Sequence, residues 1–421
     1  MAKRKNPDLY AVETDVEEAE KKIKKHRRRI RNIILFIIIA CAATLLGLFV
    51  FFKYKTYYGY KVLYTTERTD AAATKFVRFN GNMVKYSNDG ASYIDFSNHL
   101  FWNQTYEMQN PRVDVCGNYL TIYDKDGTGI YIMDETGVKG SMETTRPIGQ
   151  VHIAEQGTIA VLTTETSSCH IQLYDKTGKA LAKGEIHIQN SGYPLDIALS
   201  DDAQKMAVAM LDVTDGKVKT TIGFYNFGSV GQNEVDNIVG SYSYSGTFIP
   251  RIEFVANDRL YAFGDNQLLI FEGTQKPEES AKVSVKKEIR SIFFNADYLG
   301  TITENEQIEN ITMPTEAESI SDVQASQKRE SENGVYRINI YDHNGKQIMS
   351  RNFDLNYSSA EFLENGEICI YNKEECEIFT IGGTKKFDGR LKDDLQKVFS
   401  GKGIRDYTFV LSGKTQKVLL Q

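Results

Sequence analysis

The sequence predicts an all-β fold, a β-propeller of eight blades (seven if an end copy merges with its neighbour), preceded by one transmembrane α-helix. Three observations carry this expectation. A phrase of strand, tight turn and strand recurs along most of the chain; one long uncharged apolar run lies near the N-terminus; and the composition is rich in Tyr (24) and Phe (22) but poor in Pro (7), which suits strands better than helices. A β-sandwich or two separate sheets is the competing arrangement.

The recurring phrase appears as "FVRFNGNMVKYS" from Phe76, "RVDVCGNYLTIYD" from Arg112, "QVHIAEQGTIAVLT" from Gln150 and "LDIALSDDAQKMAVAML" from Leu195. It returns as "RIEFVANDRLYAFG" from Arg251, "RSIFFNADYLGTIT" from Arg290, "AEFLENGEICIYN" from Ala360 and, more loosely, from Gln396. Neighbouring copies mostly start about 35 to 55 residues apart, the spacing of propeller blades. Alternation with period two inside each copy indicates strands. Radial repetition of four short strands leaves only short, protected sheet edges. From Gln396 to Gln421 there is room for about three strands, so the missing fourth is expected from "GYKVLYTTE" at Gly59. Both ends of the chain would then close the ring.

The run Ile33 to Phe52 holds 20 residues without a charge, enough for a helix to cross a hydrocarbon core of about 30 Å. Eight Lys and Arg stand between Lys21 and Arg31, against Lys53 and Lys55 beyond the run. That imbalance places the N-terminus in the cytoplasm and the C-terminal bulk outside. The expected division is a basic cytoplasmic leader over 1–31, a transmembrane helix over 32–53 and an extracytoplasmic propeller over 54–421. A signal peptide has a shorter apolar core, and a lipoprotein would turn polar after Cys41, whereas "AATLLGLFVFF" follows it. Glu17, Glu18 and Glu20 each precede a Lys by four residues, spacing that supports a juxtamembrane helix. The first ten residues read as a flexible tail.

The formal charge of −6 conceals an asymmetry: residues 1–55 carry +7, which leaves −13 for the rest. So acidic a domain repels nucleic acid. It also repels anionic wall polymers.

"DKDGTGIYIMDE" places Asp124, Asp126, Gly129 and Glu135 at the first, third, sixth and twelfth positions of a calcium loop. Yet Thr128 occupies the fifth position, and "GNYLTIYD" before it alternates as a strand. "LYDKTGKA" and "IYDHNGKQ" put Asp175 and Asp342 in the same place without the other ligands. A hairpin joining two outer strands of the second blade is expected. The sixth copy carries a polar, acidic insertion from Glu304 to Gly334, expected as a mobile loop, and a smaller excursion from Asn226 widens the fourth.

Catalytic motifs are missing: no GxSxG, no HExxH, and "VLSGKT" ending at Thr415 lacks the first Gly of a phosphate loop. His99, His152, His170, His187 and His343 are scattered among copies, and His152 reads as a packed strand residue. Asp201 and Asp202 lie in a turn. Cys369 and Cys376 flank the turn "YNKEE", and Cys116 and Cys169 belong to neighbouring copies. Disulfides and buried free thiols both remain open. No residue is nominated as catalytic, metal-ligating or cofactor-binding, and no cofactor is expected.

"LDIALSDDAQKMAVAML" resembles the phrase common to WD40-like and TolB-like propeller blades. The layout resembles an uncharacterised family of single-pass membrane proteins of Gram-positive, clostridia-like bacteria, with a basic leader, one span and a propeller-like domain of unknown function. The Gly-His and Trp-Asp pairs of WD40 repeats are missing, and Trp102 is the single Trp, unlike quinone-dependent propellers. The expected role is a membrane-anchored, non-catalytic scaffold binding a protein partner in the cell envelope. A ligand-binding sensor or hydrolase using the central channel is the alternative.

Overall fold

The computed structural model describes residues 11–71, 73–213, 216–305 and 334–421. The chain divides into two compact units, Met1–Lys55 and Thr56–Gln421. The tail expected over the first ten residues, and most of the insertion between Glu304 and Gly334, lie outside the described residues.

In the first unit one helix, Ala11–Tyr54, runs through both the basic leader and the apolar run. No Pro or Gly interrupts it before Gly47, so nothing stops the helix where leader meets span. Glu18 and Lys22 form one of the expected pairs, at 3.8 Å. Its segment Glu20–Tyr54 is long and apolar enough for a membrane anchor or a signal sequence.

The second unit is the eight-bladed propeller. Seven sheets take consecutive strands, spanning 75–105, 111–143, 148–187, 193–245, 251–284, 289–353 and 359–390. The eighth combines Leu395–Ser400, Asp406–Leu411 and Lys414–Leu420 with Tyr60–Glu67. Tyr60 lies opposite Leu420 and Glu67 opposite Lys414, so the strand after the helix seals the ring as expected. Just before it Tyr57, fully buried, exchanges backbone bonds with the seventh blade: its N–H donates to Lys386 O (2.8 Å), and Asp388 N–H donates to Tyr57 O (3.0 Å).

The first strands of successive blades pack on one another around the axis. The core lies between blades. Phe79 and Tyr93 of the first meet Leu120 and Ile122 of the second, and Phe224 of the fourth meets Phe271 of the fifth at 5.1 Å. Every pair of third and fourth strands contains a register irregularity, while no pair of second and third strands does. Bulges twist an edge away from straight pairing with another chain, and the outermost strands are the exposed edges.

The calcium-like loop is a hairpin, but its place needs correcting. It joins Tyr119–Asp124 to Gly129–Asp134, the second and third strands of its blade rather than the outer pair. The turns of Asp175 and Asp342 join third to fourth strands instead. There the Asp side chain accepts backbone N–H groups two and four residues on, at 2.8 and 3.0 Å for Asp175 and 2.9 Å twice for Asp342. The second blade's counterpart is Asp134, which accepts from Thr136 N (2.7 Å), while Asp124 accepts from Asn110 N (2.7 Å). Aromatic–Asp–turn–Gly satisfies either kind of hairpin, so local similarity matched two different places.

Phe387, completely buried beside Tyr60 and Phe409, packs at the closing blade with its ring over Gly389, where an added Cβ would lie 2.3 Å from ring Cζ. Phe387→Ala is expected to cost about 3–5 kcal/mol and Gly389→Ala about 1–3 kcal/mol. Denaturant unfolding of the full chain in detergent measures both.

Candidate functional site

Polar residues alternate along the first strands of the blades, and the ring brings those strands together at the channel. On one wall Asp114, Gln150, His152, Asp196, Arg251 and Glu253 come from the second to fifth blades. Three of them fasten each blade to the next. Asp114 Oδ2 accepts from Ile153 N (2.9 Å), Gln150 Oε1 from Ile197 N (3.1 Å) and Asp196 Oδ2 from Ile252 N (2.7 Å). His152 Nδ1 lies 3.5 Å from Asp114 Oδ2 and 3.7 Å from Glu253 Oε1. Arg251 Nη2 reaches Glu253 Oε2 at 2.5 Å, and its Nε is 3.8 Å from Asp196 Oδ2.

Burial pushes the carboxyls of Glu253 and Asp196 above the ordinary range, although Arg251 and His152 pull the other way. For Arg251 burial opposes the charge, but Glu253 and Asp196 outweigh it and hold the guanidinium protonated. His152 is therefore more than the packed strand residue expected. It is buried, but it bridges carboxylates from two other blades.

The opposite wall belongs to the first, sixth, seventh and eighth blades. Lys397 pairs with Glu361, which also accepts from Tyr371 OH (3.1 Å). Arg78 Nε is 3.5 Å from Glu364 Oε1, with its guanidinium over Phe96 and Phe399. A cavity of about 620 Å³ opens here, lined by Arg78, Asn295, Tyr298, Glu361, Glu364 and Lys397 among others. The turns from first to second strands gather on one face of the disc. In the third to seventh blades they carry Glu155, Asp201, Asp202, Asp258, Asp297, Glu364 and Glu367 and no base; Lys402 and Arg405 stand in the eighth. Lys205 offsets Asp258 at 3.0 Å.

The remaining sequence candidates stay apart. Asp201 and Asp202 do occupy a turn, where Asp202 Oδ1 accepts from Ser200 Oγ (2.6 Å) and Gln204 N (3.0 Å). His99, His187 and His343 lie on outer strands and turns. Ser168, His170 and Glu165 imitate a nucleophilic set, but Ser168 Oγ (3.3 Å) and Glu165 Oε2 (3.7 Å) approach the same ring nitrogen, Nε2. Activation needs the acid on the other nitrogen. Cys116 donates to Asp201 Oδ1 at 3.4 Å, and burial with the neighbouring carboxylates pushes its thiol up, opposite to a reactive cysteine. Among the described residues no group of three or more His, Cys, Asp or Glu side chains is arranged to hold a metal ion. Sequence reasoning missed the channel set because its members are some 40 residues apart; the one available signal was a charged residue at the same alternating position of successive copies.

A family model described as "Family of unknown function (DUF5711)" matches residues 53–420. Comparison with curated proteins gives no match. Among solved structures, the C-terminal WD40 domain of Sif2 is similar at 10% identity and a TM-score of 0.56, over 87% of this chain and 100% of that one. BamB from Moraxella catarrhalis is 13% identical, with a TM-score of 0.48, over 86% and 100%. Identity this low speaks to the propeller fold alone.

Because Glu253 titrates above the ordinary glutamate value of 4.5 when folded, its contribution to stability falls as pH rises past that value. Glu253→Gln is therefore expected to lose less stability than the parent as pH climbs from acid toward neutrality. Unfolding midpoints of both chains across that range measure the difference.

Proposed function

We propose, from the premise that this chain belongs to the DUF5711 family of unknown function, that it is a membrane-anchored extracytoplasmic scaffold, non-catalytic, which binds a protein partner in the envelope of a Gram-positive, clostridia-like cell. The apolar helix is the anchor, and the eight basic residues before it hold the N-terminus in the cytoplasm. The observation that carries the binding role is the acidic inner rim on one face of a ring whose channel charges mostly satisfy one another. Charges fixed on a rigid frame select and steer a complementary partner. The partner presents basic groups to Glu155, Asp201 and Asp297.

A second reading rests on the cavity of about 620 Å³ beside Arg78 and Lys397, a volume suited to a small ligand. In it the channel serves a sensor or a hydrolase, and a peptide or glycan that raises the unfolding temperature would favour it.

In vivo crosslinking followed by capture from membranes is expected to return one recurrent partner. The triple variant Glu155→Gln, Asp201→Asn, Asp297→Asn should cut its recovery by about tenfold with the unfolding midpoint unchanged. Repeated capture without a recurrent protein overturns the scaffold reading. Protease added to intact cells should digest the propeller; survival of the propeller reverses the orientation.

A further inference from the structure

Two buried thiols are brought together by the seventh blade. Cys369 lies on Ile368–Tyr371 and Cys376 on the neighbouring strand Glu375–Phe379. Tyr371 faces Cys376 and Cys369 faces Ile378, so the cysteines are diagonal neighbours on one side of the sheet. Their Sγ atoms are 3.6 Å apart and both residues are fully buried. They pack with Tyr57, Phe387 and Tyr407, where the chain enters the ring and the closing blade begins. Cys169 belongs to the core between the third and fourth blades, and the Cys116 thiol is directed to Asp201. Neither approaches this pair.

We propose that Cys369 and Cys376 are a disulfide-forming pair, a modification site that ties the two middle strands of the seventh blade beside the ring closure. Bonding requires the sulfurs to close to about 2.05 Å, and because diagonal neighbours on a sheet sit about 7–8 Å apart, the two strands must also draw together as the bond forms. The step is thiol–disulfide exchange with a small disulfide. One cysteine thiolate attacks it and expels one thiolate; the second cysteine attacks the mixed disulfide, forms the Sγ–Sγ bond and expels the other. The protons of the two cysteines pass to the two leaving thiolates, and the small disulfide is reduced. Burial first, then the adjoining Cys376, holds the Cys369 thiol well above its ordinary range. Exchange therefore proceeds while the hairpin is open, during folding or local unfolding. The chemistry is independent of the scaffold reading; only the place where the oxidant is met rests on the outward orientation, since protein disulfides form and persist in oxidising surroundings outside the cytoplasm.

The test uses the reduced full chain in detergent, equilibrated with graded ratios of oxidised to reduced glutathione at a denaturant concentration that opens the hairpin. Free thiols are then alkylated under full denaturation and the peptides are weighed. The expected product is a linked Cys369–Cys376 peptide, lighter by two hydrogens, with Cys116 and Cys169 alkylated; Cys369→Ser should abolish the link and leave Cys376 alkylated. Alkylation of both cysteines at the most oxidising ratio, or a preferred bond to Cys116 or Cys169, overturns the proposal. A second arm alkylates the chain at lysis of its own cells. A link in both arms supports the pair and the outward orientation; a link with glutathione alone supports the pair and counts against the orientation.

Discussion

The pairing of Tyr60–Glu67 with Lys414–Leu420 is the interaction on which the rest of the second unit depends. A propeller blade is a small twisted sheet that buries its faces only against its neighbours, so an open ring would leave two faces exposed. Here the strand that completes the eighth sheet comes from the opposite end of the chain, and the core around it combines Tyr57, Phe387, Tyr407, Phe409 and Leu420. Contact between residues 347 to 360 positions apart, from Glu67 with Lys414 to Tyr60 with Leu420, therefore completes the ring. The loop-closure entropy it costs grows only slowly with length, while the apolar surface sealed is that of a whole blade.

Ring closure also explains where polar groups are tolerated. The apolar clusters lie between blades, and charged residues are admitted where they connect one blade with another. Lys386, almost wholly buried, pairs with Glu367 inside the seventh blade, and Tyr407 OH of the eighth donates to the same Glu367 and so links the two blades. Lys205 reaches Asp258 between the fourth and fifth blades, and Trp102 Nε1 donates to Asp134 O (3.0 Å) between the first and second. Buried ion pairs add little net stability when complete but are costly to break. Their effect here is to fix how each blade sits on the next. The carboxylates along the first strands do the same at the channel, accepting backbone N–H groups from the following blade.

Much of the fold was legible from local pattern. Alternation marked the strands, the spacing of copies marked the blades, and the shortage of strands after Gln396 pointed to Gly59 as the source of the missing one. The one misplaced element, the calcium-like hairpin, arose where one local pattern has two structural uses. "IYDKDGTG" and "LYDKTGKA" look alike, yet one joins second to third strands and the other third to fourth, because Asp beside a Gly-containing turn serves either. The leader and the apolar run differ in composition but form one helix, since charge alone does not interrupt backbone hydrogen bonding. His152 looked like any strand residue because its partners, Asp114 and Glu253, lie in other blades.

The sequence by itself determined that the chain is a repeat of four-stranded units behind one apolar helix, since periodicity, turn chemistry and hydropathy are properties of neighbouring residues. The tertiary structure alone decided which side chains meet. Asp114, His152, Asp196, Arg251 and Glu253 share the channel, and the acidic turns share one side of the disc. Those meetings follow from the angle at which each blade is set against the next, a quantity fixed by packing across the whole ring and written in no single stretch of residues.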